Sequence, residues 1–122
     1  MRKRLLSLIM VLLLASLAAC ATKTQEEIDA LDYGPYPTQY EQIVKDYMDD
    51  VLFDPYSAHY VFHGEPTHQY RSGRLLEDDV YGWGGTVSIN AKNRYGGYVG
   101  SKLHDYIIRY GKLVWLDQGP VY

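Results

Sequence analysis

Residues 38–63, TQYEQIVKDYMDDVLFDPYSAHYVFH, change from a helical to an alternating hydrophobic period partway along. Tyr40, Ile43, Val44, Tyr47, Met48, Val51 and Leu52 fall at the spacing that gathers them on one face of a helix. Glu41, Gln42, Lys45, Asp46, Asp49 and Asp50 take the other face. Thr38, just after Pro37 and three residues before Glu41, reads as a capping box. Asp54-Pro55 ends the helix, because a residue before proline is pushed out of the helical region. From Ser57 the alternation places Ala58, Tyr60 and Phe62 on one face of a strand, with His59, Val61 and His63 on the other.

Downstream, residues 64–79 (GEPTHQYRSGRLLEDD) read as a long connection, with a short strand near His68 to Tyr70. A second strand runs from about Tyr81 to Ala91, with Trp83, Val87, Ile89 and Ala91 on one side. Lys92 to Gly97 is a turn, where Asn90 and Asn93 supply turn chemistry and Lys92 and Arg94 point outward. A third strand follows from about Tyr98 to Arg109, with a break near Ser101-Lys102 where the apolar parity shifts. Tyr110-Gly111 fits a tight hairpin into Lys112 to Leu116. The expected fold is α+β, one amphipathic helix packed on a small antiparallel sheet of about four strands. Val61, Leu103, Ile107 and Val114 do not all fit beneath the helix, so the second face is closed in part by the long loop or by a partner.

Upstream, residues 21–37 (ATKTQEEIDALDYGPYP) are polar and acidic, then turn-rich; 21 to about Asp32 reads as a tether with a nascent turn around Ile28 and Leu31, and Gly34, Pro35 and Pro37 stop any helix from running through. Residues 1–20 are MRKRLLSLIMVLLLASLAAC. Arg2, Lys3 and Arg4 precede an uncharged stretch, Leu5 to Ala19, that falls short of the roughly 20 residues needed to span a bilayer. Basic start, short apolar core and small residues in that order mark a secretory signal segment. Its end, Leu17-Ala18-Ala19-Cys20, resembles the lipobox of bacterial lipoprotein precursors. That resemblance implies a diacylglycerated Cys20 thiol, cleavage before it, and acylation of the new amino terminus. Two or three acyl chains anchor a domain stably where one binds only marginally. Ala21, where inner-membrane retention uses Asp, resembles the class sorted to the outer membrane, on its periplasmic face, with the inner membrane as the alternative. The division expected is 1–19 signal peptide, 20–37 lipidated N-terminus and tether, and 38–122 globular domain.

Of 122 residues, removing the first nineteen leaves 103 and takes three of the twelve basic residues, so nine bases face fifteen acids and the formal charge moves from −3 to −6. Such a domain has no basic footprint for nucleic acid. One cysteine excludes an internal disulfide and a zinc site built on paired cysteines. His59 and His63 lie about 13 Å apart along a strand, too far to share one metal ion, and His68 and His104 bring no ligand-like spacing. No metal or cofactor is expected. Ser57, Ser72, Ser88 and Ser101 with His104 and Asp105 offer the parts of a hydrolase, but none lies in a nucleophile elbow. Glu77-Asp78-Asp79 reads as a solvated turn before it reads as paired catalytic acids. The chain is expected not to be an enzyme.

Two segments are familiar together. Asp54-Pro55-Tyr56-Ser57-Ala58 and residues 90–100 (NAKNRYGGYVG) resemble a group of small bacterial envelope proteins with D-P-x-S-A and N-A-K-N-x-x-G-G-Y-x-G motifs, over about residues 40–116. Many of that group carry a cysteine before the second motif, where this chain has Gly82 to Thr86, which argues against a thiol role. The resemblance implies fold and location and brings no activity. The function expected is that of a non-catalytic, membrane-anchored lipoprotein acting as an interaction or accessory module of the cell envelope. Its candidate binding surface is Trp83, Asn90, Lys92, Asn93, Tyr95 and Tyr98, and its partner another envelope protein. One alternative is a module binding glycan or peptidoglycan, with Trp83, Tyr95 and Tyr98 as stacking surfaces. Another is a small hydrolase, which requires His104 beside a serine and an acid.

Overall fold

A computed structural model describes residues 22–117, so the signal segment and Cys20 lie outside the described residues. The chain divides into two units, the second beginning at Asp32. Among the described residues of the first, α1 (Gln25–Asp29) is a short helix. The Thr24 side chain accepts from the Glu27 backbone N–H while the Glu27 carboxylate accepts from the Thr24 N–H, a complete capping box. Those bonds to Thr24 hold the Glu27 carboxyl below its usual range. The nascent turn expected around Ile28 and Leu31 is thus a capped helix that starts a little earlier, at Gln25; the T-x-x-E signature of a helix start stands at Thr24 as plainly as at Thr38.

The second unit is a small α+β domain. Helix α2 (Tyr40–Val51) lies on one face of an antiparallel sheet formed by β1 (Asp54–Phe62), β2 (Thr67–Arg71), β3 (Val80–Lys92), β4 (Lys102–Arg109) and β5 (Lys112–Leu116). The helix begins slightly later than its signature suggests. Gln39 is the N-cap and makes no side-chain cap bond, while the Tyr40 N–H bonds to the Pro37 carbonyl, so a turn rather than the Thr38 box leads into the helix. The sheet order is β1-β3-β4-β5, and β2 also pairs with β3. Strand β3 is 13 residues long, and β1 and β2 lie end to end along one of its edges. The expected four strands therefore become five: the connection after Phe62 breaks only around Gly64 to Pro66 and then resumes pairing as β2.

The helix face of the sheet carries the core. Val44 and Met48 of α2 and Leu52 just past its end meet Val87, Ile89 and Ala91 of β3 and Tyr106 and Ile108 of β4, all buried. Burying side chains of this kind contributes about 1.5–3 kcal/mol each. Ala58, Tyr60 and Phe62 pack at the edge of that core, on the face their alternation predicts. The Tyr106 ring stacks parallel to Tyr40 and edge-on to Phe62, and its hydroxyl is buried with no hydrogen-bond partner. Burial pushes the Tyr106 phenol far above its ordinary range.

The last residues of the expected tether, Asp32 to Pro37, lie on the sheet as a strap. Tyr33 and Pro37 are buried. Tyr33 stacks on His68 at 4.0 Å and meets Tyr81 edge-on, Tyr36 meets Trp83 edge-on, and the Trp83 indole N–H donates to the Gly34 carbonyl at 3.0 Å. The Tyr110 hydroxyl donates to the Asp32 carboxylate, holding that carboxyl below its usual range and raising the phenol above its own. This bond is therefore in place at neutral pH. It is lost on the acid side as pH falls through the lowered Asp32 value, and on the alkaline side as pH rises through the raised Tyr110 value.

Candidate functional site

The two sequence motifs meet at the end of the sheet where β1 starts and β3 finishes. The Ser57 hydroxyl donates to the Asp54 carbonyl at 2.8 Å and accepts from the Lys92 backbone N–H at 2.9 Å. The Tyr98 hydroxyl donates to the Ser57 carbonyl at 2.9 Å and lies 3.1 Å from His59 Nε2, which must then be the donor in that pair. Lys92 Nζ sits 5.5 Å from the centre of the Tyr98 ring. Asn93 ties the connecting turn: its side-chain oxygen accepts from the N–H groups of Tyr95 and Gly97, and its backbone bonds to Gly96 and Gly97. Asp54, Ser57, Lys92, Asn93 and Tyr98 thus serve one junction. Replacing Ser57 by Ala strands a carbonyl and an N–H in a half-buried place and is expected to cost about 1–2 kcal/mol, read as a lower urea midpoint with an unchanged slope. An unchanged midpoint removes this account of the D-P-x-S-A serine.

The remaining candidates do not gather there as one surface. Asn90 is a residue of β3 rather than of the turn, and its side-chain oxygen is buried without a hydrogen-bond partner. Tyr95 projects from the turn, 85% exposed. Trp83 lies nine residues before Lys92 on β3, roughly 30 Å away at about 3.3 Å per residue, beneath the strap. The three aromatics expected to form a stacking surface therefore do not converge. Trp83 is spent on Gly34, Tyr36 and His68.

The parts considered for a hydrolase are likewise separated. His104 is buried on the helix face, paired with Val87, with Nδ1 2.9 Å from the Asp117 carbonyl. Asp105 points to the opposite face and accepts from the Thr86 hydroxyl at 2.7 Å. The histidine that does touch a serine is His63, whose Nε2 lies 2.6 Å from Ser88 Oγ. No group of three or more metal-binding side chains occurs among the described residues.

A second site, with no counterpart among the residues that the motifs single out, lies on the face away from the helix. Register places Thr67, Gln69 and Arg71 of β2, Gly82, Gly84 and Thr86 of β3, Asp105 and Ile107 of β4, and Trp115 of β5 on that face. Gly82 leaves room for Ile107 and Gly84 for the Gln69 side chain, and Ile107 is 2% exposed although no helix covers it. The Arg71 guanidinium stacks on Trp115 at 4.0 Å, so β2 and β5 meet above the two strands that separate them and the sheet curls. Beneath this contact is a hollow of about 110 Å³ walled by Gln69, Thr86, Asp105 and Ile107. A wider depression bordered by Ser72, Arg74, Glu77 and Asp78 adjoins it through the same Arg71 and Trp115. The alternation of Thr67, Gln69 and Arg71 is the signal that locates this face, once the segment is read as a full strand.

With that geometry in place, the chain is defined by structure as a small α+β domain with a curled antiparallel sheet. No family model, no curated protein and no solved structure matches it.

Proposed function

We propose that this chain is a bacterial lipoprotein, acylated at Cys20 and held on the periplasmic face of the outer membrane, whose α+β domain is a non-catalytic interaction module of the envelope. The observation that carries the reading is the sequence pattern of the N-terminus: Arg2-Lys3-Arg4, an apolar run, then Leu17-Ala18-Ala19-Cys20. The domain's end formed by the motif junction supplies the contact surface. Phe53, Tyr56 and Tyr95 are largely exposed there, around a turn held rigid by Asn93 and Ser57. Rigid, exposed aromatics on a tied loop suit a protein partner, because little side-chain entropy is lost on binding.

The test is metabolic labelling with palmitate. Label enters the wild-type chain and is absent from Cys20→Ala, which also leaves the membrane fraction. Label in the variant, or none in the wild type, removes the lipoprotein reading. Crosslinking from Tyr95 in intact cells is expected to recover an envelope protein, and recovery of lipid alone ends the interaction reading.

A glycan-binding module is the second reading, and the hollow beneath Arg71 and Trp115 favours it. Gln69, Thr86, Asp105 and Arg71 offer donors and acceptors of the kind sugar hydroxyls require, beside an indole. The surface differs from the Trp83, Tyr95 and Tyr98 set expected from sequence. Cosedimentation with purified peptidoglycan that is abolished by Asp105→Ala supports it; no cosedimentation of the wild type removes it.

A further inference from the structure

The end of the sheet where β3 begins carries features that the interaction surface does not use. The chain enters the domain there, since Asp32 is bonded to Tyr110 of the β4–β5 hairpin. The connection from β2 to β3 turns at the same end. Its turn is closed by the Glu77 N–H on the Arg74 carbonyl at 2.9 Å and braced by the Gly73 N–H on the Asp79 carboxylate at 3.1 Å. Leu75 and Leu76 form its tip, and both are fully exposed. Leu75 holds a φ of +49°, in the left-handed region that glycine and asparagine favour and branched side chains avoid. A tip made for solvent alone would carry those residues instead of two leucines.

The occupant follows from where the chain leads. Asp32 is twelve residues from Cys20, which fully extended is at most about 40 Å. The motif junction lies at the other end of β3, whose 13 residues span roughly 40 Å. The chain joins the domain at the Leu75-Leu76 end, so an acyl anchor at Cys20 tethers the domain by that end and not by the aromatic one. Arg71 and Arg74 on one side of the tip and Glu77, Asp78 and Asp79 on the other leave the loop close to neutral. It is suited to a zwitterionic lipid interface rather than to a strongly charged protein.

We infer that Leu75 and Leu76 insert into the lipid interface beside the acyl anchor and set the domain upright on the membrane. The inference rests on the lipoprotein reading. The experiment uses the full-length acylated chain in vesicles of phosphatidylcholine and phosphatidylethanolamine. An environment-sensitive fluorophore is placed by Leu76→Cys or, separately, Tyr95→Cys; acylation of Cys20 leaves the new cysteine as the free thiol. The expected result is blue-shifted emission at 76, quenched by a lipid-borne nitroxide, with water-like, unquenched emission at 95, both insensitive to salt. Mass spectrometry of the same samples reports the acyl chains. Acylated protein with a water-like probe at 76, or equal quenching at both positions, overturns the tip contact alone. A chain that carries no acyl groups removes the lipoprotein reading and the inference with it.

Discussion

Gly82→Ala is expected to lower the stability of the domain by about 2–3 kcal/mol, a large share of the few kcal/mol that hold so small a domain together. A β-carbon at Gly82 would lie 2.3 Å from the Ile108 carbonyl oxygen and 2.9 Å from Ile107 Cγ2. Neither can retreat freely. Ile108 belongs to the ladder between β3 and β4 and is fully buried, and Ile107 is wedged against Gly82 on the opposite face. Relief would require β3 and β4 to separate, at the place where the sheet curls. Gly97→Ala is the matched control, since nothing lies within 4 Å of a β-carbon there. Urea unfolding checks both, with a clear drop in midpoint for Gly82→Ala and little change for Gly97→Ala. Equal midpoints for the two variants would falsify the close approach at Gly82.

Trp83→Ala is expected to be the second large effect, about 3 kcal/mol, from loss of a big aromatic side chain and of its hydrogen bond to the strap. The indole joins Gly34, Tyr36 and His68 across nearly fifty residues of sequence. Without it, Asp32 to Pro37 loses its central attachment and keeps the Tyr33 stack and the Tyr110 bond. Limited proteolysis with an aromatic-specific protease should then cut after Tyr33 well before the sheet. The same experiment separates a structural tryptophan from a ligand-stacking one. If Trp83→Ala keeps its urea midpoint and its resistance to protease, the strap is held by something else and the indole is free to serve a ligand.

These two sites show where local pattern stops being informative. The strand around Val87 to Ala91 follows its alternation, because the side-chain period of two is a property of the strand itself. In β5, by contrast, a register shift at Val114 breaks it, turning Leu113 and Leu116 to the core and Trp115 to the other face. The Tyr110-Gly111 turn follows from its local chemistry, with Tyr110 at +51° and Gly111 at +71°. Trp83 shares the face of Val87, Ile89 and Ala91, as its parity requires. What covers it is another matter, since its partners come from a segment that reads as a tether. A turn-rich sequence with Gly34, Pro35 and Pro37 forms no regular element, and nothing local distinguishes a free linker from one packed through its tyrosines.

The capping signatures carry the same lesson at shorter range. Thr24 and Glu27 close a box, whereas Thr38 and Glu41 do not, although both pairs have the required spacing. Around Thr38 the chain is already constrained, because Pro37 is buried on the sheet and its carbonyl takes the Tyr40 N–H. Tertiary contact there displaces a local bond worth about 1 kcal/mol.

The amphipathic face of α2, the alternation of β3 and the closing hairpin are all written in the linear sequence, because periodicity and turn chemistry act over a few residues. Only the fold decides that Trp83 is a fastening, that Ser57 and Tyr98 bind the two motifs to each other, and that Arg71 reaches Trp115 over a curled sheet. Those contacts depend on register, on sheet curvature at Gly82 and Gly84, and on residues tens of positions apart, and each of these is set by packing of the whole domain.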